Sequence, residues 1–357
     1  SPSIGDLDGD GRDDWVIDVD DPGIGLAFVS VLDGRVLGRI DRAITAGAEW
    51  VHVVPVGDLD GDGKHDALFE RLHFLHERDH YVVQAVSSHD GHVLFELEGR
   101  ESRRGSVADL GDIDGDGLTD LAFGCEPEKV RLDRGGYRGS VLFVSGASGV
   151  AIAQLDGARE DDRFGGSVVA LNDIDGDGVR DLAIGALGAE PRIEIVSGRT
   201  RSSLTKLALN GDATPQLGWP IGGEVSGCGD IDGDGHDELA VHLGREWLLV
   251  SPMRGVVRPV PLLDVVSIAH FGDWNSDGQA DLCIQRLGSG EVRSGEPVRW
   301  YFELVNGQTF ELLLTVWSTS TEPCGGACGD VDGDGETDLG VQTSEGLIGV
   351  WCSRNAR

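Results

Sequence analysis

Asp173-Ile174-Asp175-Gly176-Asp177-Gly178-Val179-Arg180-Asp181 is the stretch from which the rest of the chain can be read. Acidic side chains stand at its first, third, fifth and ninth positions, and glycine stands at its sixth. The pattern occurs seven times, and the other copies carry Asp6, Asp8, Asp10 and Asp14; Asp58, Asp60, Asp62 and Asp66; Asp112, Asp114, Asp116 and Asp120; Asp230, Asp232, Asp234 and Glu238; Asp273, Asn275, Asp277 and Asp281; and Asp330, Asp332, Asp334 and Asp338. Carboxylates this close repel one another unless a cation sits among them. An all-oxygen donor set suits calcium, which takes about six to eight oxygens, and a sixth-position glycine permits the sharp turn of such loops. The seventh position holds Arg12, Lys64, Leu118, Val179, His236, Gln279 and Glu336, which share no chemistry. A ligand that is a main-chain carbonyl predicts that indifference, so these residues enter the metal set through their backbone oxygens. One copy could be an acidic turn that binds nothing; seven in register favour metal, with up to seven calcium ions expected. By charge count the sixth loop, with Asn275, is the weakest.

An EF-hand needs a bidentate acid at its twelfth position and a helix afterwards. Here the closing acid is the ninth, and short apolar runs follow, such as Leu121-Ala122-Phe123-Gly124 and Leu182-Ala183-Ile184-Gly185-Ala186. These read as buried strands, which places each loop inside a β-hairpin. Phe164-Gly165-Gly166-Ser167-Val168-Val169 before the fourth loop and Leu182-Ala183-Ile184-Gly185-Ala186 after it resemble the FG-GAP repeat. That resemblance, also to VCBS-type repeat proteins, implies the seven-bladed calcium-binding propeller of integrin α subunits and many secreted bacterial proteins. Integrin heads carry the loop in only some blades, whereas every repeat has it here, which points toward the bacterial-type calcium propeller.

Successive first aspartates lie 52, 54, 61, 57, 43 and 57 residues apart, a spacing that signals a propeller or solenoid. The expected fold is all-β: one domain over residues 1–357, a seven-bladed β-propeller of four-stranded antiparallel blades. The blades are expected near 1–42, 43–99, 100–157, 158–210, 211–263, 264–317 and 318–357, the last without its outer strand. In blade four the strands fall near Ser167–Leu171, Asp181–Ala186, Arg192–Val196 and Ser203–Leu209. The turn before each outer strand is marked by Asp33-Gly34, Asp90-Gly91, Ser145-Gly146, Ser197-Gly198 and Asn306-Gly307.

The net charge of −34 concentrates in the loops and argues against nucleic acid, whose binding needs a basic footprint. No apolar run approaches the ~18 residues of a membrane span. Abundant calcium implies an extracellular, cell-surface or periplasmic setting, and the chain opens inside a repeat, as a processed N-terminus would. The six cysteines, Cys125, Cys228, Cys283, Cys324, Cys328 and Cys352, fit either three disulfides or buried thiols.

On the side expected to lie opposite the loops, the connections of blades two and three are long. They carry Arg71, Arg78, Arg103, Arg104, Lys129, Arg131, Arg134 and Arg138, with Arg100 beside them. On so acidic a protein these form a candidate site for an anionic glycan or acidic protein loop, set against a solvated surface that merely balances neighbouring acids. His73, His76 and His80 raise a transition-metal site, and Trp50, Trp219, Trp300, Trp317 and Trp351 a sugar-stacking platform; a strand end with its turn, and blade packing, are the leading readings of the two groups. No nucleophile elbow, phosphate loop or catalytic His/Ser set occurs, so no catalytic residue is assigned. The function expected is a calcium-binding module for adhesion to a protein or glycan ligand. A polysaccharide lyase, hydrolase or lectin on the loop-rich side is the alternative. A structural subunit joined through the open edge of the last blade is a further one.

Overall fold

The computed structural model describes residues 3–21, 24–41, 50–75, 78–99, 107–125, 138–160, 162–188, 190–209, 225–244, 246–287, 300–318, 325–333, 337–342 and 348–351. Among them every regular element is a strand, and every strand pairing within a sheet is antiparallel. The chain divides into two compact units, Pro2–Val225 and Ser226–Arg357.

Blade four shows the rule. Its strands are Phe164–Ala170, Leu182–Ala186, Arg192–Val196 and Ser203–Ala208, hydrogen-bonded in that order, and the acidic loop joins the first two. The second strand, Leu-Ala-Ile-Gly-Ala, is buried at every position, and its Leu182 and Ile184 join the cluster formed with Leu110 and Phe143 of the preceding sheet. The fourth alternates between exposed and half-buried residues, as an outer strand with one wet face does.

In the first unit the other sheets comprise Ser3–Gly5, Asp14–Asp21, Ile24–Val29 and Val36–Asp41; Trp50–Val56, Asp66–Leu75, Arg78–Val86 and Val93–Gly99; and Val107–Gly111, Asp120–Cys125, Ser140–Val144 and Ala151–Asp156. The second unit has Val225–Gly229, Glu238–Leu243, Glu246–Ser251 and Val256–Pro259; Val265–Gly272, Asp281–Leu287, Trp300–Asn306 and Leu312–Ser318; and a three-stranded sheet of Gly325–Ala327, Leu339–Gln342 and Ile348–Trp351. The expected seven-bladed propeller, its last blade short of the outer strand, is therefore corrected to six four-stranded blades. The repeated motif sits between the first two strands of a blade, so it counts hairpins rather than complete blades. The seventh copy builds only a three-stranded sheet among the described residues, and its first strand, Gly-Gly-Ala, offers almost no side chain to pack.

The core lies between successive sheets of each unit. Leu110 and Phe143 pack with Val168, Leu182 and Ile184, and Leu68 and Val83 pack with Leu121 and Val144. In the second unit Trp247 and Leu249 meet Leu282 and Ile284, and Phe271 and Phe302 meet Leu339.

The turn before each outer strand spans six residues. In blade four the Ser197 amide donates to the Ser202 carbonyl at 3.0 Å and the Arg201 amide to the Ser197 carbonyl at 2.8 Å. The fifth turn residue is left-handed: Gly34, Gly91, Gly149 and Gly255 in four blades, but Arg201 (φ 59°) and Phe310 (φ 59°) in the others. The expected Asp-Gly dipeptides and the expected Ser-Gly and Asn-Gly dipeptides thus mark the turns for two different reasons. Gly198 is not the left-handed residue of its turn. It lies so close to the acidic loop that a Cβ would sit 2.0 Å from the Arg180 carbonyl oxygen. Gly146 and Gly307 meet Thr119 and Ala280 in the same way, at 1.8 and 2.3 Å. Gly198→Ala should accordingly destabilise the protein by about 1–3 kcal/mol, since backbone on both sides must shift; urea unfolding with an unchanged midpoint would show that the turn has room to move.

Candidate metal centres in the acidic loops

Each loop is first a device for holding carboxylates against main-chain amides. In loop four Asp173 accepts hydrogen bonds from the Gly176, Asp177 and Gly178 amides at 2.8, 3.1 and 2.8 Å. These bonds, the Gly178 amide foremost, hold the Asp173 carboxyl below its usual range. Asp175 accepts from the Asp177 amide at 3.2 Å, and Asp177 from the Val179 amide at 2.9 Å. Gly176 and Gly178 are left-handed, φ 77° and 86°, which is why the fourth and sixth positions are glycine. Ser276 takes the same conformation in loop six at φ 59°. Loops one, two, three and five repeat the first-aspartate pattern, as with Gly9 and Gly11 on Asp6 and Gly61 and Gly63 on Asp58.

The ninth-position acid behaves differently. Asp14, Asp66, Asp120, Asp181, Asp281 and Asp338 are fully buried, and Glu238 is 2% exposed. One carboxylate oxygen accepts from the amide of the second loop position: Leu7, Leu59, Ile113, Ile174, Ile231 and Val331 donate at 2.8 to 3.0 Å. The other oxygen accepts from the second residue of the turn before the outer strand: Val31, Ser88, Gly146 and Gly198, at 3.4, 2.9, 3.0 and 3.1 Å. Blade five breaks the rule. Its second turn residue is Pro252, which has no N–H. The Glu238 Oε1 atom is buried and takes no main-chain amide, with only the Ser251 hydroxyl beside it, so acceptor capacity next to the loop is left for another electropositive group.

Donor oxygens within 4.8 Å of one another come from Asp6, Asp8 and Asp10; Asp58, Asp60 and Asp62; Asp112, Asp114 and Asp120; Asp173, Asp175 and Asp181; and Asp230, Asp232 and Asp234. Hard, anionic oxygens at this separation, with spare buried acceptor capacity in one copy, fit calcium. At the seventh position the amides of Arg12, Lys64, Leu118, Val179, His236 and Gln279 donate to the fifth-position carboxylate at 2.9 to 3.0 Å. Asp334 and Glu336 lie outside the described residues. Adjacent loops touch: the Thr119 amide of loop three donates to the Asp58 carbonyl of loop two at 2.9 Å, and Ala280 of loop six to Asp230 of loop five at 3.2 Å.

Sequence reasoning missed a further group. The turns before the outer strands of blades one, four and five send arginines into their own loops. Arg35 Nη2 lies 2.6 Å from Asp8 Oδ2, and Arg199 Nε 3.6 Å from Asp177 Oδ1. Arg254 straddles two acids, Nη1 to Asp232 Oδ2 and Nε to Asp234 Oδ2, both at 2.8 Å. The Arg35 guanidinium holds the Asp8 carboxyl below its ordinary range. In loop six a neutral group reaches the fifth-position acid instead, the Asn306 amide nitrogen donating to Asp277 at 2.7 Å. The only trace in the sequence is an arginine within the six turn residues.

The candidates away from the loops fare unevenly. Arg71 is 9% exposed within its sheet and faces Glu96 at 3.6 Å, and Arg138 is exposed. Arg78 begins the strand Arg78–Val86, while Arg100, Arg103, Arg104, Lys129, Arg131 and Arg134 lie outside the described residues. His73 and His80 pair across neighbouring strands, not along one helix face, and His76 lies outside the described residues. Trp300 is buried within its blade. Trp50, Trp317 and Trp351 sit on strands, and Trp219 lies outside the described residues. Cys125, Cys228 and Cys283 are free thiols, Cys328 is buried, and Cys324 and Cys352 lie outside the described residues.

The chain is 26% identical to integrin alpha-5 of Xenopus laevis over 216 residues, which is 53% of this chain and 20% of that protein. It is 28% identical to integrin alpha-V of Gallus gallus over 232 residues, 59% of this chain and 22% of that protein. To integrin alpha-E of Homo sapiens it is 31% identical over 179 residues, 45% and 14%. The chain is similar to integrin alpha subunits. It spans about a fifth of the length of the curated relatives it matches. No protein-family model matches the chain. Among solved structures, BBS1N in complex with ARL6DN aligns with 98% of this chain and 91% of that one at a TM-score of 0.54 and 12% identity. Sqt1 of Saccharomyces cerevisiae aligns with 97% and 85% at 0.52 and 10% identity. These two likenesses concern the fold alone. The integrin-like propeller expected from the loops is supported by these comparisons; its calcium ions are a separate matter.

Burial pushes the ninth-position carboxyls up, Asp66 and Asp281 to about 6 and Glu238 to about 7. An acid whose folded pKa is raised keeps its proton in the folded protein where the unfolded chain has already released it. Unfolding then releases protons, so the stability contributed by these three groups is fully present below about pH 4 and is lost as pH rises toward about 7. In calcium-free protein the melting temperature should drop across that window, and Glu238→Gln should flatten its upper end. Calorimetry showing the same slope in both proteins would mean Glu238 does not titrate there.

Proposed function

We propose that this chain is a calcium-loaded, integrin-like β-propeller that serves as a binding or adhesion module outside the cytosol. The observation that carries the calcium part is the gathering of hard oxygen donors within 4.8 Å in successive loops, beside a Glu238 Oε1 that takes no main-chain amide. In loop four Asp173, Asp175, Asp177 and Asp181 would hold the ion, with the main-chain oxygen of Val179. The corresponding residues serve in the other loops. Bound calcium supplies fixed positive charge that cancels the mutual repulsion of these acids. The chain's own residues do the rest: the glycine amides pre-orient the first aspartate, and the buried ninth acid fixes the loop to the turn of its own blade.

The similarity to integrin alpha subunits supports adhesion as the role, with a protein or glycan as ligand. No helix among the described residues is long and apolar enough to cross a membrane. The free carbonyls and amides at the edge of a sheet are a further place where a partner strand could add.

Calcium that binds the folded loop and hardly binds the unfolded chain adds about 2.7 kcal/mol per site at a hundredfold excess over Kd. The melting temperature should therefore rise steeply between excess chelator and millimolar calcium. A melting temperature indifferent to calcium overturns the metal reading. Binding to immobilised extracellular proteins and glycans, with calcium and with chelator, tests the adhesion reading. Turnover of a polysaccharide in the same assay, with no retained ligand, would replace it by an enzymatic one.

A further inference from the structure

The acidic loops are not equivalent, and their difference is written in a part of the blade that the repeated motif does not include. Within the six-residue turn before the outer strand, Arg199 is the third residue, Arg254 the fourth and Arg35 the sixth. Three different positions on the turn deliver a guanidinium to the same place, the third- and fifth-position acids of the blade's own loop. Among the described residues, only in loop five does one guanidinium engage two acids of its loop, Arg254 reaching both Asp232 and Asp234 at 2.8 Å, with the two acids 17% and 12% exposed. In loop one Arg35 engages Asp8, whose side chain is 7% exposed. The turn over loop three holds Gly146, Ala147 and Ser148 and carries no cation at all.

We propose that Arg35, Arg199 and Arg254 are built-in counter-cations that compete with calcium, so that loops one, four and five load at higher calcium than loop three. This rests on the calcium reading above. A divalent ion entering loop five must take Asp232 and Asp234 from two charge-assisted bonds and drive a guanidinium away from its own field. The arginine swings into solvent with its turn intact, since the turn's hydrogen bonds are made by backbone, and its side chain is already 48% exposed. The same guanidinium neutralises the loop before calcium arrives, so the calcium-free blade stays folded. The weakest loop is then not the sixth, where Asn275 lowers the charge, but the fifth, where the charge is answered from inside the chain.

The experiment is equilibrium dialysis of the whole protein against graded free calcium, followed by melting in chelator and in saturating calcium. Arg254→Gln should move a part of the weak phase of uptake to about three- to tenfold lower free calcium. It should also lower the melting temperature in chelator while leaving it unchanged or higher in calcium. Ser148→Arg, which places a guanidinium at the matching turn position over loop three, should move a part of the tight phase to higher free calcium. Ser148→Arg carries the test if Arg254→Gln does not fold in chelator, since loop three has no turn arginine to lose. Uptake that stays put in the foldable variant, or that weakens in Arg254→Gln, overturns the proposal. A wild-type chain that takes up no calcium at any concentration instead overturns the metal reading on which it rests.

Discussion

One buried carboxylate per blade holds the repeat together. It sits at the start of the second strand, takes the amide that follows the first loop aspartate on one oxygen, and takes the turn before the outer strand on the other. The loop joins strands one and two, and the turn joins strands three and four. A single side chain therefore ties the two ends of a four-stranded sheet that the backbone ladder connects only edge by edge. Burying a carboxylate is costly unless its oxygens are hydrogen-bonded, and the two donors per group are what make the arrangement tolerable. The raised pKa of Asp66, Asp281 and Glu238 is the residue of that cost. Blade five lacks the main-chain half of the pairing, since its second turn residue, Pro252, cannot donate.

The remaining acids solve the opposite problem. They are exposed or half-exposed and crowded, and they are restrained by amides of left-handed glycines and by arginines from the neighbouring turn. A net charge of −34 is thus not a uniform surface property. It is concentrated where short loops face a tight turn, and the blades do not answer it alike: three use a guanidinium, blade six an amide, and the turn over loop three carries no cation.

Close approach of loop and turn explains the glycines that the turn pattern alone misassigns. Gly146, Gly198 and Gly307 are there because the eighth loop residue's carbonyl leaves no room for a Cβ, while the left-handed corner is taken by Gly149, Arg201 and Phe310. Packing between successive sheets does the larger energetic work, with the second strand of a blade buried along its length.

What the sequence determined by itself was local and periodic. Asp173 through Asp181 and its copies dictate a glycine-cornered loop, and the apolar runs behind them dictate central strands; blade four matches its expected strands to within about three residues at every end. These follow from chemistry between residues a few positions apart, which a linear pattern records. The tertiary structure decided the rest. It reduced seven expected blades to six of four strands, because a complete blade is made by pairing across a turn and not by the loop motif. It also made the ninth acid a buried staple and brought Arg254 onto Asp232 and Asp234, about twenty residues apart, because the return of the third strand sets the turn over the loop. No spacing in the chain encodes that contact; only the folded sheet does.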